Sequence, residues 1–475
     1  MSGIESFFWY DLETFGLNPF YDRIAQFAGQ RTDVDLNPIG DPVILYCRLS
    51  ADYLPDPGAC LVTGITPQEV KKKGIPESEF IEKINSLFSQ CGTCVCGFNT
   101  LKFDDEFIRN ALFRNFIDPY EREWKNNCSR WDIIDLVRAT HDLRPDGINW
   151  PPASDKGNPV FKLTELTAAN NIQQVGAHDA MVDVNATIAV AKLIKEKQPR
   201  LFEHYLKLRN KIQVKNYLDL QQLPKPLLHT NAIFTNPNGC TSMIVPLTPK
   251  VNQDNSVYCF DLTKDPSALF SADSGNIHKV PGVFRLAVNK VPFIAPLSAL
   301  KYEDYARLGL DYGLCFTRYN MIIQNRGELL VKFRDNTGDD YPESTDPDFS
   351  IYSGGFFTDH DKNLFSVIRQ TPAKQRLLLN FDFNDARCRE MLWRHVCRNY
   401  PEVLDSENIE KFRNFSISRL LNPPSDAIND IFFVENKIEE KLNEDNLSEK
   451  ETFTLQCLKE YSQSLRRYLK IERKS

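Results

Sequence analysis

Residues 7–16 read FFWYDLETFG. Four consecutive large apolar side chains, Phe7, Phe8, Trp9 and Tyr10, predict a core strand, closed off by the turn-forming Gly16, Asn18 and Pro19. Side chains alternate along a strand, so Asp11 and Glu13 share one face while Leu12 takes the other. Two carboxylates side by side at the end of a buried segment repel each other, and burial makes each costlier. A cation is the simplest compensation.

Around this strand the first two hundred residues alternate strand and helix signals. RIAQFAGQRTD (23–33) and VILYCRL (43–49) read as further strands, close enough along the chain for antiparallel pairing. In GITPQEV (64–70), Thr66, Pro67 and Glu69 form a capping box with proline at the first helical position. Helices are predicted at 77–88, 104–116, 132–140, 162–171 and 179–195, with a strand in TCVCGFN (93–99). This pattern implies an α/β layer with helices packed on a mixed sheet. From about residue 200 short apolar strands separated by Pro, Asn and Gly follow, as in a small barrel or sandwich. From about 350 helical periodicity and charge dominate, as in LQCLKEYSQSLRRYLK (455–470), with an interruption at Pro423 and Pro424. The expected division is 1–198, 199–350 and 351–475.

At 475 residues, several domains are expected. A net charge of -7 excludes a uniformly basic surface, so any nucleic-acid contact is a local groove. The 12 cysteines follow no signal peptide and read as reduced thiols of a cytoplasmic protein. Cys91, Cys94 and Cys96 lack a second Cys/His pair at zinc spacing. No apolar run reaches membrane-spanning length, so no membrane association is expected.

Three other elements carry acids or histidine. In GFNTLKFDDEF (97–107) a strand gives way to a helix whose first turn holds Asp104, Asp105 and Glu106, a pattern that helix-dipole preference alone also produces. In GAHDAMVDVNAT (176–187), His178 and Asp183 would lie about 140° apart on one continuous helix. They converge only if His178 sits in a loop before the helix, which Gly176 permits. Either residue alone is ordinarily a surface group.

Their order, Asp11 with Glu13, then Asp104, then His178 with Asp183, resembles the DEDDh 3′→5′ exonuclease family, whose fold is similar to ribonuclease H, over residues 6–195. A narrower resemblance, to the bacterial exodeoxyribonuclease I family, runs through WYDLETFG, DRIAQFAGQRTD, DYLPDPG, GITPQE, FDDEFIRNALFRNFIDPY, SRWDIIDL, LRPDGINWP, AHDAMVDV and GGFFTD. It implies a ribonuclease H-like exonuclease domain, an SH3-like β-barrel and a helical C-terminal domain. It also implies processive 3′→5′ degradation of single-stranded DNA to 5′-mononucleotides, in DNA repair and recombination. An RNA-trimming enzyme of the same superfamily and an inactive nucleic-acid-binding scaffold are the alternatives; the complete acid set argues against the second.

Phosphodiester hydrolysis calls for positive charge on both sides of phosphorus, which two divalent ions about 3.5–4 Å apart provide. Hard oxygen ligands suit Mg²⁺, with Mn²⁺ as a substitute. Asp11, Glu13, Asp104 and Asp183 are the expected ligands. Asp104 is preferred over Asp105 because it follows Phe103 in the family's Asn-to-Phe-Asp pattern. His178, with an ordinary pKa of about 6.5, is the expected general base toward the attacking water. LVTGITPQEV (61–70) resembles the family's segment that meets the terminal nucleotide, and Gly64 would let backbone approach the sugar, although a simple turn explains it equally. Glu13, Phe15, Arg109, Arg130 and Trp131 complete the candidate substrate contacts, with Arg114 and Trp150 behind them; each reads equally as a rim or core residue. The resemblance further implies a partner, the acidic C-terminal tail of single-stranded DNA-binding protein, for which Arg144 is a candidate contact or a structural loop arginine. A monomer is expected.

Overall fold

The computed structural model describes residues 4–172, 180–335, 344–425 and 428–472. The opening strand is β1 (Ser6–Thr14), longer than its aromatic run because both acids lie within it. It pairs antiparallel with β2 (Ile24–Thr32), which pairs antiparallel with β3 (Pro38–Tyr46). On its other side it runs parallel to β4 (Thr93–Gly97), and β4 to β5 (Ser129–Asp132). The order β3-β2-β1-β4-β5 makes a mixed sheet with β1 at its centre.

Both faces of β1 are covered, which is why its apolar run is unbroken. Phe8, Tyr10 and Leu12 pack against Phe80, Ile84 and Phe88 of the helix Glu77–Phe88 and Ile108 and Leu112 of the helix Asp104–Arg114. Phe7 and Trp9 face a core that includes Trp131 and Val184, Ile188 and Ala191 of the helix Ala180–Lys197. Asp11 and Glu13 lie in the same alternation as Phe7 and Trp9, so the long helix is the element that meets them.

Four elements differ from expectation. Ser129–Asp132 is a strand that the sequence reading did not include, and the helix expected from 132 begins at Ile134. The capping box at Thr66 is half formed, because Glu69 turns to Lys73 at 2.7 Å while Thr66 accepts the Glu69 N–H at 3.2 Å. The stretch 199–218 is helical, as Pro199–Lys207 and Lys211–Leu218. The second sheet contains β6 (Leu227–Thr230), β7 (Thr241–Lys250), β8 (Gln253–Asp261), β9 (Val283–Ala287) and β10 (Phe293–Pro296), in the order β10-β6-β7-β8-β9. Three helices, Tyr302–Arg307, Tyr312–Gln324 and Arg326–Arg334, then follow where strand texture was expected to continue.

The C-terminal helices behave as read, with a break between Leu421 and Ile431 around the proline pair. All 12 cysteines are free thiols. No helix among the described residues is long and apolar enough to cross a membrane.

The first sheet's domain and the barrel are joined through Asp142, at the end of the helix Ile134–Leu143. Its fully buried carboxylate accepts hydrogen bonds from the Cys240 amide at 2.7 Å and the Thr241 hydroxyl at 2.6 Å. Gly239 has φ +150°, and a Cβ there would lie 2.4 Å from that carboxylate. Gly239→Ala is therefore expected to lower stability by about 1–3 kcal/mol, read from urea unfolding, through backbone strain and displacement of Asp142.

Candidate active site

The acids gather at the carboxyl end of β1. Oxygens of Asp11, Glu13 and Asp183 all lie within 4.8 Å of one another, and no other set of three potential metal ligands among the described residues comes so close. Strand alternation supplies the first two, and the helix Ala180–Lys197, packed against the same face, presents Asp183 in its first turn.

Asp104 approaches from the opposite helix layer. β4 ends at Gly97, so the Leu12 amide, between the two acids of β1, is left without a ladder partner on that side. Asp104 Oδ1 accepts that N–H at 3.1 Å. Asp104 is buried and is the largest charge acting on Asp11, yet it stands outside the group of three. Burial, with Asp104, Glu13 and Asp183 beside it, pushes the Asp11 carboxyl well above the usual carboxylate range. Burial likewise pushes Asp104 up to about 8, against the hydrogen bonds it accepts from its own and the Leu12 backbone N–H. A protein that gathers acids it cannot ionise together provides a place for positive charge.

Asp105, one residue on, has the opposite environment. It is buried against the guanidinium groups of Arg122 and Arg130, with Arg109 at 3.7 Å, and they hold its carboxyl well below the usual range despite burial. It is the anion of an internal ion-pair cluster, which separates it from Asp104 more sharply than a dipole preference in the helix's first turn does.

The same cluster relocates several candidate substrate contacts. Arg109 is buried and pairs with Glu123 at 2.8 Å and Glu106 at 3.0 Å. Arg130 is buried, pairs with Glu123 at 2.8 Å and donates to the Asn289 carbonyl at 3.2 Å. Trp131 has no exposed surface and lies against Phe7, Trp9, Phe202 and Tyr205. Phe15 is equally enclosed, in a core shared with the C-terminal helices. All four are buried, with their charge or surface engaged by internal partners. Arg114 is held internally by Glu77 at 2.7 Å.

Gly64 is the left-handed cap (φ +71°) of the helix Pro57–Thr63, with the Lys450 ammonium 2.8 Å from where a Cβ would stand. Arg144 is half-buried and donates to the Leu143 carbonyl. Trp150 is half-buried and lies edge-on to His141, 5.0 Å away. His178 lies outside the described residues.

One residue that shapes the site escaped the sequence reading. Asp132, at the end of β5, accepts the backbone N–H groups of Asn99 at 2.8 Å, Leu101 at 3.0 Å and Ile134 at 3.0 Å. It fixes the loop that delivers Asp104, in which Asn99 takes a left-handed conformation (φ 64°). Burial pushes it up to about 6. The signal was present as an acid closing a short strand in SRWD, but the strand itself was not recognised.

Comparisons with known proteins agree with this layout. Residues 8–191 match the family profile described as exonuclease, 209–336 the exonuclease I SH3-like domain and 345–465 the exonuclease I C-terminal domain. Exodeoxyribonuclease I of Escherichia coli K12 is 40% identical over 417 residues, covering 84% of this chain and 86% of that protein. Exodeoxyribonuclease I of Haemophilus influenzae is 40% identical over 438 residues, covering 87% and 90%. Among solved structures, E. coli exonuclease I with a dA16 oligonucleotide superimposes with TM-score 0.91 at 35% identity, covering 97% of this chain and 100% of that one. A zinc-bound E. coli complex with single-stranded DNA gives 0.89 at 35% identity, covering 97% and 99%. A structure described as SSB/exonuclease I with the inhibitor CFAM gives 0.88 at 36% identity, covering 97% and 100%. Identity at this level across all three regions, together with acids converging where the exonuclease profile falls, places the chain in the bacterial exodeoxyribonuclease I family.

Proposed function

We infer that the protein is a divalent-metal-dependent 3′→5′ exonuclease that hydrolyses single-stranded DNA to 5′-mononucleotides. The convergence of Asp11, Glu13 and Asp183 within 4.8 Å, with Asp104 behind them, carries this reading. The donor set is all carboxylate oxygen, which fits a hard divalent cation; we assign Mg²⁺, two per site, with Mn²⁺ as a substitute. Such ions supply Lewis acidity to the attacking water and the departing 3′ oxygen.

The chain's own groups divide the remaining work. Asp11, Glu13, Asp104 and Asp183 would hold the ions, and Asp104 also fixes the Leu12 amide between two of the others. His178 takes the proton of the attacking water; a phosphorus–oxygen bond forms, the bond to the 3′ oxygen breaks, that oxygen takes up a proton from solvent, and a 5′-mononucleotide leaves. Gly64 bounds the approach to the terminal sugar. The accessory regions, divided at 199–350 and 351–475, favour one strand over a duplex. The acidic tail of single-stranded DNA-binding protein is the proposed partner, with Arg144 among its contacts; the related complex of SSB with exonuclease I supports this. The protein is assigned as a cytoplasmic monomer.

The test compares a single strand, a blunt duplex and an RNA of matched sequence, with Mg²⁺ and then with chelator. Rapid loss of the single strand, slow loss of the others and full arrest by chelator are expected. Efficient duplex cleavage, or activity that persists in chelator, overturns the reading. Preference for the RNA makes the protein a trimming enzyme instead.

A further inference from the structure

We propose that Tyr53 is a positioning residue of the reaction, coupling the docking of the C-terminal helices to the end of the strand that carries Asp11 and Glu13; this rests on the exonuclease reading above. Tyr53 has no exposed surface. Its hydroxyl stands 3.0 Å from the Phe15 carbonyl, two residues beyond Glu13, and 2.9 Å from Asp22 Oδ1. The Phe15 carbonyl also accepts the Asp56 N–H at 2.9 Å.

Asp22 organises the turn that leaves β1. Its Oδ2 accepts the Asn18 N–H at 2.8 Å, and its carboxylate packs so closely on Gly16 that a Cβ there would lie 2.1 Å away. The phenol thus stands between the end of the catalytic strand and the turn that follows it. Moving that strand end by a fraction of an ångström moves Glu13, and carboxylate sites tolerate little such movement.

What holds Tyr53 comes from the other end of the chain. The adjacent Asp52, fully buried, accepts from Arg398 Nε at 3.0 Å and Nη2 at 2.8 Å. Arg398 also pairs with Asp348 at 2.7 Å, and Arg419 pairs with Asp346 at 2.8 Å and Asp348 at 3.2 Å, closing a buried network. Tyr53 and Phe15 share one apolar core with Ile431, Leu458 and Leu469. The C-terminal helices therefore build the floor beneath the catalytic strand.

Tyr53→Phe removes the hydroxyl and leaves the packing. Ca²⁺ binding without DNA, followed by calorimetry, should weaken by roughly 3- to 10-fold, below the effect of losing a group bonded directly to a metal ligand because Tyr53 acts through the strand end. Half-saturating Mg²⁺ should rise by a similar factor and kcat should fall, with KM for single-stranded DNA within about twofold. In a double-mutant cycle, Arg398→Met should weaken Ca²⁺ binding in wild type and do little more once Tyr53→Phe is present. Ca²⁺ affinity of Tyr53→Phe within twofold of wild type overturns the proposal, whether or not Arg398→Met folds. Two effects that simply multiply overturn the coupling to the C-terminal helices. A wild-type protein that binds Ca²⁺ yet does not degrade the single strand overturns the exonuclease reading alone, because calorimetry still tests Tyr53.

Discussion

Asp183→Ala abolishes hydrolysis of single-stranded DNA, with kcat expected to fall by about a thousandfold or more, equivalent to roughly 4 kcal/mol of lost transition-state stabilisation. Asp183 is one of three carboxylates within 4.8 Å, and the first turn of its helix does no other catalytic work in this scheme. Asp183→Ala removes one metal ligand and no other group, so affinity for an oligonucleotide, measured by fluorescence anisotropy in Ca²⁺, should change only a few-fold. In the metal-free protein Asp183 is crowded against the carboxylates of Asp11 and Glu13, so removing it relieves like-charge repulsion and the melting temperature should fall little. The rise in melting temperature on adding Mg²⁺, which mass action requires of a bound ion, should shrink or vanish. Retained turnover would remove Asp183 from the metal site.

The second large effect is on stability, one residue from a catalytic acid. Asp105→Ala leaves Arg122 and Arg130 buried without the carboxylate they share, a type of loss that costs about 3–5 kcal/mol. Asp104→Asn should instead leave stability nearly intact or raise it, since burial has already pushed that carboxyl up to about 8 and the amide keeps an oxygen for the Leu12 N–H. Chemical denaturation of the two variants should therefore diverge, while hydrolysis is lost in Asp104→Asn at temperatures where both remain folded. The sign of the pH dependence follows. The Asp105 carboxyl is held below its unfolded value of about 3.9, so its contribution is complete above that pH and fades as pH falls toward the folded-state value. Equal destabilisation by both substitutions would contradict this division of roles.

The contrast between these neighbours also shows what the sequence makes legible. β1 was readable because four large apolar residues in succession have few other uses, and its acids because alternation places them together. Asp104 was separable from Asp105 only through a family pattern, since the arginines that claim Asp105 lie 17 and 25 residues away and nothing local announces them. The same blindness hides the burial of Arg109, Arg130 and Trp131. A charged or aromatic side chain in a candidate groove looks identical in sequence whether it faces solvent or a partner from another element. β5 was missed because four strand residues run directly into a helix without a breaking residue. The helices over 302–334 were missed because barrel texture was carried past its last strand.

The core shared by Phe15, Tyr53 and the helices at 431–469 bears on how the enzyme comes into being. Gln68 reaches the Cys457 carbonyl across 389 residues, and the strand end beside Glu13 packs on side chains synthesised still later. During translation the N-terminal segment emerges early, but the support for its catalytic edge does not exist until almost everything else has been made. In a nascent chain that edge therefore lacks its apolar backing until the last helices have been made.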